Sequence, residues 1–189
     1  RDWARSCRLD GPWNEAVVRS LITLKALTFA PTGGIVAAPT TSLPEQIGGI
    51  RNWDYRYCWL RDATFTLYAL LASGYRDEAC AFREWLLRAA AGSAGGPQIM
   101  YGLAGQRRLP ELELGWLPGY EGSAPVRIGN AASKQLQWDV HGELLDAMYQ
   151  CRRVGLPLDE PGWRLERSFL KHLERSEERR VGKECRLTC

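Results

Sequence analysis

Residues 62–73, DATFTLYALLAS, constrain the fold more than any other segment, because a helix formed by them has apolar side chains on nearly every side. Asp62 suits the N-terminal end of that helix, and Gly74 suits its C-terminal cap. A helix that is apolar all round is buried on all sides. The segment therefore predicts an inner helix, whose apolar residues are Phe65, Leu67, Tyr68, Leu70 and Leu71.

The other helical segments carry a single apolar stripe. Residues 75–91 alternate charged side chains with a stripe, which predicts a surface helix, and residues 13–29 and 161–174 are predicted to be outer helices as well. Residues 135–153 repeat apolar positions at intervals of four and predict a second inner helix. The stripe of 75–91 is Ala79, Phe82, Leu86 and Ala89, and that of 135–153 is Leu136, Val140, Leu144 and Met148.

Two long connections rich in Gly and Pro separate these helices. Residues 31–50 predict an irregular loop with one short strand at Ile35–Ala38, and residues 92–134 predict a second long loop. Loops of this length in a compact domain are usually functional. The alternation of inner and outer helices predicts an all-α, two-layer toroid with its long loops at one end. An ordinary helical bundle, which usually has shorter connections, is the alternative.

Composition excludes several classes of protein. A formal net charge of +3 is too small to indicate a nucleic-acid-binding protein. The sequence has no apolar run long enough to span a membrane, and its charged start, RDWARSCRLD, is unlike a signal peptide. The six cysteines are irregularly spaced, without a CxxC pair or a histidine at metal-ligand spacing. We therefore expect a reduced, cytoplasmic chain without a metal or cofactor, and, because it begins at Arg1, we expect sequence before it.

The C-terminal segment differs from the rest of the chain. Residues 175–185, RSEERRVGKEC, do not continue the apolar stripe of the preceding helix. They also equal the in-frame translation of a common sequencing adapter. We therefore expect the natural sequence to end near Glu174, with residues 175–189 an artefactual tail to which no function is assigned.

The densest chemistry lies in residues 48–62, GGIRNWDYRYCWLRD, which combine two Trp, two Tyr, three Arg and two Asp. Arg61 and Asp62 stand side by side at the start of a helix predicted to be buried, and buried charges must be paired or hydrogen-bonded. An Arg with an Asp can bind two neighbouring hydroxyls of a sugar, with Trp59 packed beside the ring. An ion pair in which Asp62 caps the helix explains the same residues equally well.

At these residues the chain resembles glycoside hydrolase family 15, the group of glucoamylases, glucodextranases and trehalases. The resemblance covers most of residues 13–174, and it is strongest to the bacterial trehalase-like branch. It implies an incomplete (α/α)6 toroid at 13–174, with residues 1–12 the end of a linker from a preceding domain. The matching blocks are RSLITLKALTFAPTGGIVAAPTTSLPE, GGIRNWDYRYCWLRDATFTLYAL, QIMYGLAGQRRLPELEL, GSAPVRIGNAA and QWDVHGELLDAM.

The resemblance also implies roles for individual residues. Arg61 and Asp62 correspond to the pair that binds hydroxyls of the non-reducing glucose. Trp59 corresponds to an aromatic that lines the same subsite, and Tyr55 to a tyrosine near the catalytic base.

Residues 133–139 give a weaker correspondence. Gln137 and Asp139 match a Gln-x-Asp pattern at the start of the next inner helix, where packing between helices is an equally good interpretation. Glucoamylases have a Trp and an Arg before this pattern, whereas this chain has Ser133 and Gln135. The difference argues against starch-like specificity.

The mechanism implied is inverting hydrolysis, in which a carboxylic acid protonates the glycosidic oxygen and a carboxylate activates water, the two lying about 6.5–9.5 Å apart. The family's general acid follows the helix that begins here at Pro161, and its general base lies further downstream, so we expect both beyond this chain. Glu111 and Glu113 are not assigned catalysis. The predicted substrate is an α-glucoside, namely trehalose, maltose or a longer α-glucan. The alternative function is a non-catalytic carbohydrate-binding or regulatory domain.

Overall fold

The computed structural model describes residues 2–90, 96–157 and 159–184, with side chains described as far as Arg175. Among these residues, six helices form the fold and three two-stranded antiparallel sheets cap one end of it. The all-α prediction is confirmed. The helices are α1 (Asp2–Arg5), α2 (Asn14–Ala26), α3 (Leu60–Ala72), α4 (Arg76–Ala90), α5 (Asp139–Arg153) and α6 (Glu160–Glu184).

Helices α3 and α5 pack side by side, while α4 packs against both of them and against α6. This is the arrangement expected for two inner and two outer helices of part of an (α/α)6 toroid. The largest core cluster lies between these helices and includes Phe82, Trp85, Leu67 and Leu144. Helix α2, which was predicted to be an outer helix, also packs against α3.

Helix α3 is an inner helix, as predicted, but the burial on all sides that its apolar composition suggests is not complete. Its residues Leu67 and Leu70 are buried, but Phe65 is 61% exposed and Tyr68 is 41% exposed. The reason is that the helices packed against α3 cover the sides that face α2, α4 and α5 and leave its remaining side open.

Helix α4 has the buried apolar stripe predicted for it, but it also buries two charged residues that a surface helix was expected to expose. Glu78 accepts hydrogen bonds from Lys25 Nζ at 2.6 Å and from Trp3 Nε1 at 2.7 Å. Arg83 donates to Asp159 at 2.7 Å. These charges are tolerated because each is paired with a group from a neighbouring segment.

The first residues of the chain pack on the helices. Trp3 stacks on Tyr75 with ring centroids 4.0 Å apart, and the backbone of Arg8 donates to the Ser73 carbonyl. The assignment of residues 1–12 to a linker stays a prediction, and the contacts of Trp3 and Arg8 fix the path of the chain on this side.

Helix α5 begins at Asp139, later than the predicted residue 135. Residues Ala131–Lys134 form a 3-10 turn and Gln135 has an extended backbone, so the helix cannot start there. Leu136, predicted to lie in the apolar stripe, is therefore outside the helix and 60% exposed. Val140, Leu144 and Met148 are buried as predicted.

Helix α6 begins at Glu160 and its backbone continues to Glu184, beyond the predicted end at residue 174. The segment after Glu174 is rich in Arg, Glu and Lys, which have high helix propensity, and this accounts for a continuous helix without an apolar stripe. The expected boundary near Glu174 stays a prediction.

The sheets and loops gather at the end where α3 and α5 begin, as predicted. The strand predicted at Ile35–Ala38 is wrong, because Ile35 forms only an isolated bridge with Thr28, and the strand lies further along the chain. Residues 91–95, shared by a predicted helix end and the second predicted loop, lie outside the described residues. The strand pairs are β1 (Thr41–Pro44) with β2 (Asn52–Asp54), β3 (Cys58–Trp59) with β4 (Met100–Tyr101), and β5 (Leu112–Glu113) with β6 (Arg127–Ile128).

A buried histidine, His141, lies between α5 and α6. His141 is 1% exposed, neither of its ring nitrogens has a hydrogen-bond partner among the described residues, and its ring stacks on His172 at 5.1 Å. Burial, and then the proximity of His172, lower the pKa of His141 below its ordinary value of 6.5.

We expect acid to weaken the packing of α5 on α6 for this reason. Below pH 6.5 the unfolded chain takes up a proton that folded His141 does not, so the free energy of unfolding falls as the pH drops toward the folded pKa. Each unit of pKa difference contributes about 1.4 kcal/mol. The free energy of unfolding can be measured by urea denaturation at about pH 7.5 and again at about pH 5.5. It should fall less between these two pH values in His141→Phe than in the unsubstituted chain. An equal fall in the variant and in the unsubstituted chain would show that His141 is not the cause of the pH dependence.

Candidate functional site

A cleft of about 480 Å³ opens among the connections that precede α3 and α5. Its walls come from the β1–β2 hairpin, the segment that leads into α3, and the segment that leads into α5. Aromatic, amide and charged side chains line it together. They are Glu45, Arg51, Trp53, Tyr55, Trp59, Glu111, Asn130, Ala131, Ala132, Gln135 and Gln137.

Three of the residues predicted for the site, Tyr55, Trp59 and Gln137, line this cleft. Trp59 lies in β3, which pairs with β4 and turns directly into α3. Its indole Nε1 is buried and has no hydrogen-bond acceptor among the described residues. Gln137 donates from Nε2 to Gln135 Oε1 at 3.0 Å. The cleft thus combines aromatic surface with amide groups.

Tyr55 connects the cleft with the start of α3. Burial raises the pKa of the Tyr55 phenol, the carboxylates of Glu45 and Asp62 raise it further, and the Arg51 guanidinium opposes them. These charges act on Tyr55 because they lie near its ring. The phenol therefore stays protonated and can donate a hydrogen bond.

Arg61 and Asp62 lie in the first turn of α3, but they are not buried there and do not pair with each other, so the ion-pair alternative is wrong. Arg61 Nη1 contacts Asp139 Oδ2 at 3.1 Å, with side-chain exposures of 43% and 48%, and Asp62 is exposed. Adjacent residues of a helix do not face each other, which explains why Arg61 and Asp62 diverge. The Arg61–Asp139 pair joins the N-terminal ends of α3 and α5, so Asp139 serves helix packing as well.

A second cleft of about 540 Å³ lies on the open side of α3 and α5. Phe65 and Tyr68 line it together with the carboxylates Asp139, Glu143 and Asp146. Burial raises the pKa of Glu143, Asp146 and Asp139 raise it further, and Arg61 opposes the shift. The cleft therefore has an aromatic wall and an acidic wall.

A buried carboxylate fixes the wall of the first cleft. Asp54 accepts two hydrogen bonds at 2.9 Å from Arg56 and one at 3.1 Å from the Gly129 backbone, and its carbonyl accepts from Asn130 Nδ2. Burial raises the pKa of Asp54, but the bonds from Arg56 and Gly129 outweigh that effect and the pKa is lowered. Asp54 therefore stays ionised and holds Asn130 against the cleft.

The carboxylates excluded from catalysis in the sequence analysis have structural partners. Glu113 Oε1 is 2.9 Å from Arg127 Nη2, and Glu111 Oε1 is 3.6 Å from Arg127 Nε. Glu111 Oε2 also accepts a hydrogen bond from the backbone of Ala131. Glu113 thus joins β5 to β6, while Glu111 joins the segment before β5 to Arg127 and to the Ala131 backbone.

Sequence analysis did not single out four residues that line the cleft, namely Glu45, Arg51, Trp53 and Asn130. A signal for Trp53 was present, because residues two apart on a strand face the same side and Tyr55 was already assigned to the site. Nothing in the sequence pattern brings Glu45 or Asn130 to the same place, since both arrive through loop contacts.

Within the described ranges, no three His, Cys, Asp or Glu residues are grouped so that they could hold a metal ion. None of the helices in the described part of the chain is long and apolar enough to cross a membrane.

Comparison with known families matches the sequence profile described as "Glycosyl hydrolases family 15" to residues 11–176. The chain belongs to glycosyl hydrolase family 15. The matched region of the family 15 profile includes the cleft, both inner helices and the Arg61–Asp139 pair.

Several relatives of the chain carry the name trehalase. The chain is 49% identical over 143 residues to a trehalase of Mycolicibacterium smegmatis, which covers 74% of this chain and 21% of the relative. It is 48% identical over 143 residues to a Mycobacterium tuberculosis trehalase, with the same 74% and 21% shares. A Thermoplasma acidophilum trehalase is 38% identical over 174 residues, covering 92% of this chain and 30% of the relative. The chain thus spans less than a third of the length of each of these relatives.

No solved structure matches the chain significantly.

Proposed function

We propose that this chain is the sugar-binding part of an inverting, exo-acting α-glucoside hydrolase whose substrate is trehalose. The observation that carries the proposal is the cleft in which Tyr55, Trp59 and Gln137 meet, beside the α3 start that presents Arg61 and Asp62. In this proposal the helix start, together with the neighbouring Tyr55 and Trp59 of the cleft, binds the glucose ring whose anomeric carbon is attacked.

The side chains suit a sugar ring. The indole of Trp59, which lines the cleft, offers an apolar face to a ring. The protonated phenol of Tyr55 can donate to a hydroxyl, while the exposed carboxylate of Asp62 can accept from one. A ring with alternating donors and acceptors needs such a mixed set, because each buried hydroxyl must be hydrogen-bonded.

Trehalose is favoured over starch-like substrates for two reasons. The family 15 relatives compared above carry the name trehalase. Ser133 and Gln135 also stand where glucoamylases have a Trp and an Arg, and Gln135 lines the cleft. The proposal also includes a cytoplasmic location and a general acid and base supplied by sequence beyond this chain.

The test is hydrolysis of trehalose by the full-length enzyme, followed by ¹H NMR before the anomers interconvert. Inversion converts one ring to β-glucose while the leaving ring keeps its α configuration, so the two anomers should appear in equal amounts. Maltose and longer α-glucans should be hydrolysed more slowly than trehalose.

Other outcomes separate the alternatives. Release of α-glucose alone would show retention and contradict the mechanism. Faster hydrolysis of longer α-glucans would indicate a glucoamylase. Absence of hydrolysis with every substrate, in a folded full-length protein, would favour the non-catalytic binding domain.

A further inference from the structure

Two opposite charges, Glu45 and Arg51, line the cleft without belonging to the predicted sugar-binding set. They lie at the two ends of the connection between β1 and β2, and Arg51 Nε is 2.8 Å from Glu45 Oε2. Their side chains are 40% and 69% exposed. An ion pair this exposed contributes little to stability, so its place in the cleft calls for another explanation.

Hydrogen bonds of buried polar groups fix the connection between β1 and β2 that carries Glu45 and Arg51. Asn52, which is fully buried, donates from Nδ2 to the carbonyls of Gly49 and Ser123 at 3.0 and 3.2 Å. The backbone N–H of Gly48 donates to Ser123 Oγ at 2.8 Å. These bonds hold an exposed turn in one conformation and so keep its ion pair at the cleft wall, as a preorganised binding group requires.

The pair is also close to the residue assigned next to the reaction centre. Glu45 and Arg51 both shift the pKa of Tyr55, and so does Asp62 at the start of α3. Tyr55 lines the cleft together with Glu45 and Arg51, and Trp59, also in the cleft, directly precedes the first turn of α3, where Asp62 lies. Trp53, which also lines the cleft, adds an aromatic surface and stacks with Arg127 at 4.7 Å.

We infer that Glu45 and Arg51 bind the second sugar ring of the substrate, the one that leaves, and so determine specificity for a disaccharide. The inference rests on the proposed function. Arg51 supplies N–H donors and Glu45 supplies acceptors, a combination that matches neighbouring hydroxyls of one ring. Because Arg61 and Asp62 are assigned to the first ring, the hairpin pair takes the ring on the other side of Tyr55.

The test compares two substrates of the full-length enzyme. Trehalose has a sugar as leaving group, whereas α-glucosyl fluoride has a leaving group without hydroxyls. Arg51→Met and Glu45→Gln should each lower kcat/KM for trehalose about 10- to 100-fold, the loss expected for a hydrogen bond with a charged group. The loss with α-glucosyl fluoride should be at least about tenfold smaller.

Two further variants distinguish binding from structure. Glu45→Arg combined with Arg51→Glu retains an ion pair but exchanges donor and acceptor, so trehalose hydrolysis should stay low. Arg164→Met is the matched control, since Arg164 forms an exposed 2.8 Å pair with Glu160 on α6, outside the cleft. Arg164→Met should leave the ratio of kcat/KM for trehalose to kcat/KM for α-glucosyl fluoride unchanged.

Three results would overturn the inference, namely equal losses with both substrates, no loss with either, and recovery of the trehalose rate in the exchanged pair. Failure of the parent enzyme to hydrolyse α-glucosyl fluoride as well as trehalose would instead overturn the proposed function. Thermal unfolding of each variant checks that the hairpin is still folded.

Discussion

The 189-residue chain alone is expected to release no glucose from trehalose, maltose or longer α-glucans. Inverting hydrolysis needs a carboxylic acid and a carboxylate on opposite faces of the reacting carbon. Each positioned acid or base typically contributes about 10²–10⁴-fold, and the account assigns both to sequence beyond this chain. The loss should therefore be complete within the sensitivity of a glucose assay, with the full-length enzyme as the positive control.

If the chain alone does release glucose, one of its own carboxylates must act as the general acid. Glu111 and Glu113 are already paired with Arg127, and Glu45 is paired with Arg51. Glu143 differs, because burial and then the carboxylates of Asp146 and Asp139 raise its pKa, the direction of shift that suits a general acid. Glucose release by a monomeric form of this chain, lost in Glu143→Gln, would contradict the account and make Glu143 the general acid.

Part of the fold follows from local patterns alone. The stripe of α4 and the positions Val140, Leu144 and Met148 of α5 are buried as their spacing predicts. Helix boundaries and burial depend on more distant contacts. The 3-10 turn at Ala131–Lys134 delays the start of α5, and the open side of α3 exposes Phe65 despite its apolar character.

The site was predictable only in part, for a similar reason. Tyr55 directly follows β2 and Trp59 lies in β3, so two residues close together in the sequence line the same cleft. Arg61, in contrast, pairs with Asp139, far along the chain, and no local pattern contains that contact. Glu45 and Arg51 enter the cleft because buried Asn52 fixes the hairpin that carries them, and their exposed positions in the sequence give no sign of it.

Asp62 offers the most direct test of the claim that the start of α3 binds the non-reducing glucose. It is exposed in the first turn of α3 and influences the pKa of Tyr55, which lines the cleft. Losing a hydrogen bond to a charged group costs about 1.5–3 kcal/mol. Asp62→Ala should thus lower kcat/KM for trehalose in the full-length enzyme by about one to two decades.

Asp77→Ala is the matched control, because Asp77 is an exposed acid in the first turn of α4 and lies outside both clefts. Both variants lose a carboxylate near a helix N-terminus, so any shared effect of the helix dipole cancels. The decisive measurement is kcat/KM on trehalose for the two variants at equal folded concentration. Asp62→Ala should lose about ten- to a hundredfold of the parent kcat/KM and Asp77→Ala should lose none. Equal values for the two variants would show that the start of α3 does not bind this glucose ring.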